Sequence, residues 1–173
     1  MMKKLIVPIC ILFLSTAAFS QTRSRSTKRG TQPAKPAASQ ASSEAKTAGA
    51  TKVADQIKNL TRFVYLLGGV AKGIEQVDEA AKKNEASPAA LQQNAQNKAT
   101  VKTSLENVRL GLDQLEIYFR STPELQGYYT KLVGSASGAA ASEDQAAAGH
   151  FDQAGRTLLG VVNRLTDVLL VMR

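Results

Sequence analysis

The strongest restriction on the fold of this 173-residue chain is the spacing of its apolar residues after Val53. In the first run these residues recur at steps of four and three: Val53, Ile57, Leu60, Val64, Leu67, Ala71 and Ile74. Such spacing lines one face of an α-helix, because the helix completes a turn every 3.6 residues. No segment shows the alternation with period two that a half-buried strand requires. The sequence therefore predicts an all-α fold.

Start and stop signals divide the region 53–173 into four helices. Ser87-Pro88 and Thr122-Pro123 each pair a capping residue with a proline suited to the first helical position. The expected helices cover about 53–84, 88–121, 123–148 and 152–172, the last with Asp152 as its candidate N-cap. With short loops between them, they predict an antiparallel four-helix up-down-up-down bundle of long helices. Gly134 and Gly138 leave open whether the third helix is continuous across 133–142.

The first twenty residues have the organisation of a secretory signal peptide. Lys3 and Lys4 precede an apolar stretch, and small residues around Ala18 and Ser20 supply a cleavage site. We therefore expect an exported protein, either periplasmic or secreted. The single cysteine, Cys10, lies inside this leader, and the expected mature chain has no transmembrane span.

Residues 21–52 contain no aliphatic side chain larger than alanine, which predicts a disordered linker rich in Ser, Thr, Ala and Pro. The linker carries seven basic residues against one acidic residue, whereas residues 53–173 carry thirteen of each. A candidate electrostatic arm comprises Arg23, Arg25, Lys28, Arg29 and Lys35. Such an arm is attracted to anionic lipid or polymer surfaces. The alternative is a solubilising spacer. A fold without a basic excess argues against specific nucleic-acid binding.

The residues that carry chemistry are too few for most catalytic or metal sites. The chain has one histidine, His150, and no cysteine outside the leader. Zinc sites and di-iron bundles need several such ligands, and the segment Leu67–Val70 lacks the lysine and Ser/Thr of a phosphate-binding loop. We therefore expect no enzymatic activity, no metal and no cofactor.

Two sets of residues are candidates for contact surfaces. Four tyrosines form a candidate partner surface, expected at the end of the bundle from which the arm emerges: Tyr65, Tyr118, Tyr128 and Tyr129. Three glycines in the first helix form a candidate close-packing face: Gly68, Gly69 and Gly73. Each costs about 1 kcal/mol of helix stability relative to alanine, so we expect the small residues of the third helix to approach them. A ligand lying against the glycines is the competing explanation.

Residues 139–165 resemble the helix–turn–helix of a tetratricopeptide repeat around Ala147, Gly149, Phe151 and Ala154. No second copy exists, although about three repeats are needed to bury a continuous core. The segment is therefore interpreted as an αα-hairpin, and no family is assigned.

These features favour an exported, non-enzymatic protein with a binding, scaffolding or assembly role at the cell envelope. Its partner would be an anionic envelope polymer or lipid bound through the arm, or a protein. The first alternative is a self-associating, coiled-coil-like structural protein that forms a homo-oligomer. The second is a carrier of a small apolar ligand between the helices near Gly68–Gly73.

Overall fold

The computed structural model describes residues 37–173, and every regular element in that range is helical. The elements are α1 (Ala37–Lys82), α2 (Pro88–Ser121), a 3₁₀ turn (Pro123–Leu125), α3 (Gln126–Leu132), α4 (Ser135–Ala147) and α5 (Phe151–Val171). The predictions of an all-α fold and of four helices are confirmed, with the third helix divided into α3 and α4. The predicted leader and the linker residues 21–36 lie outside the described residues.

Helix α1 begins sixteen residues before the expected start at Val53. This additional segment packs against the rest of the bundle at Gly49, where an ideal Cβ would stand 2.9 Å from Leu125 Cδ1 and 3.0 Å from Met172 Cε. The expectation of a disordered linker is therefore wrong for residues 37–52. This segment has no large apolar side chain of its own. Leu125 and Met172, from later in the chain, supply the apolar side chains that pack against it at Gly49.

The core is formed by the apolar seams that the sequence predicts. Helix α1 packs against α2 and α5, and α4 packs against the same two helices. The largest fully buried apolar side chains are Phe119, Leu60, Ile74, Leu105, Leu112, Leu125, Leu132, Leu158, Leu165, Val53 and Val168. Removal of this apolar surface from water stabilises the bundle by about 25 cal/mol per Å².

The predicted third helix is broken between Val133 and Ser135. Gly134 adopts φ 91° and ψ 1°, a left-handed conformation that ends α3 and re-aims the chain into α4. Two neighbouring helices hold the break. Arg164 of α5 donates from Nη1 to the Val133 carbonyl at 2.6 Å, and Glu116 of α2 accepts the Ala136 N–H at 2.9 Å. Because glycine has no side chain to cap α4, the Glu116 carboxylate supplies an acceptor for its first turn.

The start of α2 agrees with the predicted cap, and the start of α5 does not. Ser87 caps α2 as expected and accepts the Ala90 N–H at 3.2 Å. Asp152 does not cap α5, because the helix begins one residue earlier with His150 in the N-cap position and no side-chain cap bond. Gly149, at φ 85°, turns the chain first, and His150 N–H then reaches back to the Gln145 carbonyl. That left-handed turn sets where α5 begins.

Candidate interaction surface

Gly68, Gly69 and Gly73 of α1 face open space within the part of the chain that the structure describes. No heavy atom of residues 37–173 lies within 4 Å of an ideal Cβ built on Gly68, Gly69 or Gly73. The prediction that they form a close-packing face is therefore wrong. Helix α4 does make the close approach, but to α5, where a Cβ on Gly138 would stand 2.7 Å from Val161 Cγ2.

Large apolar side chains surround the uncovered glycines. Tyr65 is 82% exposed, Leu66 55% and Val70 38%. We call Tyr65, Leu66, Gly69, Val70 and Gly73 the outer face of α1. These residues recur at helical spacing on the side of α1 away from the core. Nothing within the described residues covers this face, so its glycines weaken the helix without a compensating contact inside the molecule.

The four candidate tyrosines do not form one surface. Tyr118, Tyr128 and Tyr129 are half-buried and pack against the core. The ammonium of Lys52 lies 5.0 Å from the Tyr118 ring centroid, a cation–π contact between α1 and α2. Tyr65 lies thirteen residues beyond Lys52 on α1, about 20 Å along the helix axis. The candidate arm residues Arg23, Arg25, Lys28, Arg29 and Lys35 lie outside the described residues.

A groove of about 490 Å³ runs between α1 and α5 beside the outer face. Leu67 and Phe151 form part of its floor, and Leu159 lines its wall. Gly68 and Gly155 line it from opposite helices, and at both positions a Cβ would have no neighbour within 4 Å among residues 37–173. The groove therefore remains open because neither helix places a side chain there.

A polar cluster joins the end of α1 to the start of α2. Asp78 Oδ1 accepts hydrogen bonds from Asn94 Nδ2 and Lys98 Nζ, each at 2.7 Å. Asn94 is buried, and its own Oδ1 has no partner in the described part of the chain. Lys98 is the one charged residue among the apolar residues that recur at helical spacing in α2, such as Leu91, Val101 and Leu105, and this ion pair gives it a partner there. Sequence spacing alone does not reveal it, because Asp78 and Lys98 lie on different helices.

An exposed ion pair at the end of α1 shifts the pKa values of both its members. A hydrogen bond from Lys82 lowers the pKa of Glu79, and the same bond raises the pKa of Lys82. Because the folded pKa of Glu79 is depressed, its stabilising effect is present at neutral pH and is lost as the pH falls through that value. Both side chains are exposed, so solvent screens the pair.

Two further properties concern residues 37–173 only. No group of three His, Cys, Asp or Glu side chains in this range is arranged to hold a metal ion. None of its helices contains a stretch long and apolar enough to cross a bilayer.

Replacement of Gly69 or Gly73 with alanine is expected to stabilise the protein by about 0.5–1 kcal/mol at each site. The added methyl group meets open space, and alanine loses less backbone entropy than glycine when the helix forms. Urea denaturation followed by circular dichroism measures the change. A lower stability in either variant would mean that the outer face is covered by something within the molecule.

No protein-family model, curated protein or solved structure matches this chain.

Proposed function

We propose that this protein is an exported, non-enzymatic helical bundle with a binding, scaffolding or assembly role at the cell envelope. The outer face of α1 is its docking surface for a protein partner. The basic segment that precedes α1 tethers it to an anionic polymer or lipid.

The outer face of α1 carries this proposal. Gly69 and Gly73 lie in a helix interior beside exposed Tyr65, Leu66 and Val70. These glycines lower the stability of the free molecule. A partner helix could approach such a face closely, because glycines separated by three residues allow backbones to come near each other. Exposed apolar residues with an aromatic among them are also typical of protein contact sites.

The proposed up-down-up-down topology is supported by the residues that lie opposite one another on neighbouring helices. They are Gln56 with Gly111 and Asp78 with Lys98 for α1 and α2, Arg109 with Glu143 and Glu116 with Ala136 for α2 and α4, and Ser142 with Ala154 and Gly138 with Val161 for α4 and α5. In each pair of helices, rising residue numbers in one meet falling numbers in the other. That is the pattern of antiparallel neighbours.

Export and tethering are supported by the sequence of the N-terminal region. The leader pattern of residues 1–20 favours export. Residues 21–36 carry five basic residues and no acidic one, whereas residues 37–173 carry fifteen basic and fourteen acidic residues. The positive excess is thus concentrated in a short segment that precedes α1 in the sequence. Each basic residue near an anionic surface contributes about 1 kcal/mol, and this attraction is screened by salt.

Co-sedimentation with isolated cell envelopes tests the tether. We expect residues 21–173 to pellet at low salt and to be released at high salt, while residues 37–173 stay in the supernatant. A matched control keeps the full length but replaces Arg23, Arg25, Lys28, Arg29 and Lys35 with glutamine, and it should behave like the shorter protein. Equal, salt-sensitive pelleting of all three would contradict the tether.

Self-association is the second candidate function, and the outer face of α1 favours it as well, because a second copy could cover that face. Sedimentation velocity of residues 37–173 distinguishes self-association from docking of a different protein. An oligomer that the double variant Leu66→Gln/Val70→Gln dissociates would assign the face to a second copy. The control Leu110→Gln/Ile117→Gln replaces exposed apolar residues of α2 and should leave an oligomer intact. A strictly monomeric protein at high concentration excludes self-association.

The carrier hypothesis is favoured by one observation, the groove between Gly68 and Gly155. Native mass spectrometry of the exported protein tests it. A co-purifying apolar molecule that Gly155→Leu displaces would support the carrier function. The absence of any bound molecule would exclude it.

A further inference from the structure

A cavity of about 300 Å³ lies beside the turn between α4 and α5. Helix α2 contributes Ala99 and Val101 to its lining, and the end of α4 contributes Ala146 and Ala147. Phe151, the first residue of α5, adds a buried phenyl ring. Ligand pockets range from about 300 to 1,000 Å³, so this cavity has room for one small molecule with an apolar part.

The α2 side of the cavity carries one free positive charge. Lys98 and Lys102 both line the cavity. The ammonium of Lys98 is already paired with Asp78 at 2.7 Å, so the charge of that lysine is balanced. Lys102 is exposed and forms no ion pair with any residue that the structure describes.

The α4 side carries one negative charge that is only partly balanced. Glu143 lines the cavity, and its Oε2 lies 3.3 Å from Arg109 Nε. The same guanidinium lies 3.4 Å from Asp113 Oδ2 through Nη1. One positive charge is therefore shared between two carboxylates. The Glu143 side chain is 22% exposed, so a molecule in the cavity can reach it.

The two free charges come from different helices and do not pair with each other. Arg109, the partner of Glu143, lies seven residues after Lys102 on α2, which is about 10.5 Å along the helix axis. A molecule between them can accept a hydrogen bond from the lysine and donate one to the carboxylate. The site is balanced overall, so it suits a ligand that carries both charges and no net charge.

We propose that this cavity binds a zwitterionic α-amino acid with an apolar side chain. The ligand carboxylate accepts a charge-assisted hydrogen bond from Lys102 Nζ, and the ligand ammonium donates one to the Glu143 carboxylate. The ligand side chain lies against Val101, Ala146 and Phe151. This site is separate from the outer face of α1 and from the groove between α1 and α5, and it does not depend on the proposed docking role.

The lining favours an apolar side chain over a polar one. Apart from its three charged residues, the cavity is lined by alanine, valine, glycine and phenylalanine side chains, which offer no hydrogen bond. A polar ligand side chain would lose its hydrogen bonds to water on entering. An aromatic side chain would also gain an edge or offset contact with the Phe151 ring. Phenylalanine is therefore a suitable probe.

NMR titration of isotope-labelled residues 21–173 with L-phenylalanine tests the proposal. We expect saturable 1:1 binding, with the largest amide shifts at Val101, Ala147 and Gly149. The analogue 3-phenylpropionate lacks the ammonium, and phenethylamine lacks the carboxylate. Each should bind about tenfold more weakly, because one charge-assisted contact is lost. Ala99→Trp should abolish binding, because its indole occupies the cavity.

Two charge variants test the two contacts separately. Lys102→Gln should weaken L-phenylalanine by about tenfold and leave phenethylamine unchanged, because that analogue has no carboxylate. Glu143→Gln should weaken L-phenylalanine to a similar extent and leave 3-phenylpropionate unchanged. A variant that fails to fold would lose all three ligands alike. This crossed pattern therefore separates the loss of a contact from the loss of the fold.

Matched controls change the same chemistry outside the cavity. Lys131→Gln and Asp144→Asn each remove an exposed charge, and Gln96→Trp adds an indole on another side of α2. All three should bind L-phenylalanine as the unmodified protein does. Absence of saturable binding overturns the proposal. Equally tight binding of either single-charge analogue also overturns it, as does binding that Ala99→Trp and both charge variants leave unchanged.

Discussion

Replacement of Gly134 with alanine is expected to lower the free energy of unfolding of residues 37–173 by at least about 2 kcal/mol. An L-residue in the left-handed region costs roughly 1–2 kcal/mol, and Gly134 holds φ at 91°. The new methyl group would also meet the Arg164 guanidinium, which donates to the Val133 carbonyl. Alanine at this position therefore opposes both the backbone conformation and the bond that holds the break. Chemical denaturation followed by circular dichroism at 222 nm measures the loss.

The control for this prediction is Gly69→Ala, the same chemical change at a glycine with ordinary helical geometry and open space. It is expected to move stability in the opposite direction. If Gly134→Ala were as stable as the unmodified protein, α3 and α4 would have to join as one helix in solution. Arg164→Gln, which keeps Gly134, should lower the free energy of unfolding by less, because it removes only the hydrogen bond to the Val133 carbonyl.

Removal of residues 37–52 is expected to destabilise the bundle by about 3 kcal/mol and to lower its melting temperature. The segment covers Leu125 and Met172 at Gly49, and Lys52 lies over the Tyr118 ring. Exposure of a buried leucine or methionine costs roughly 1.5–3 kcal/mol, and both side chains would be partly uncovered. Thermal melts of residues 37–173 and 53–173 give the difference.

The comparison with residues 21–173 separates the helical segment from the arm. Proteins that start at residues 21 and 37 should melt at the same temperature, because both keep every packed residue that the structure describes, whereas a start at residue 53 removes Gly49. Gly49→Val offers an independent test in the longer protein, since its Cβ would stand within 3.1 Å of Leu125 and Met172 atoms and would force α1 away from them. Equal melting of residues 37–173 and 53–173 would show that the first turns of α1 are not packed in solution.

Local signals in the sequence are sufficient for the elements whose information is itself local. The apolar residues that recur after Val53 predict the core positions of α1, because burial of one helical face is encoded in the 3.6-residue period. Ser87 and Pro88 mark the start of α2 because the cap bond forms between neighbours. The break at Gly134 is also indicated locally, as a region of small residues, although its conformation is not.

The sites were harder to predict, since they depend on which helices meet. The sequence predicts a packing face at Gly68, Gly69 and Gly73, because helix interiors seldom carry bare glycines. The predicted partner, α4, packs instead against α2 and α5. The glycines that do make tight contacts, Gly49 and Gly138, meet Leu125, Met172 and Val161 from distant parts of the chain. Nothing in the local sequence distinguishes these two groups.

The amino-acid sequence by itself determined the all-helical class, the number of helices and the residues that form most of the core. These properties follow from periodicity and from turn signals within a few residues. The tertiary structure alone decided that residues 37–52 are helical, that the third helix divides at a left-handed glycine, and which apolar surfaces stay uncovered. The first two depend on contacts between residues far apart in sequence, namely Gly49 against Leu125 and Met172 and Arg164 at Val133. The third depends on which helices pack against one another.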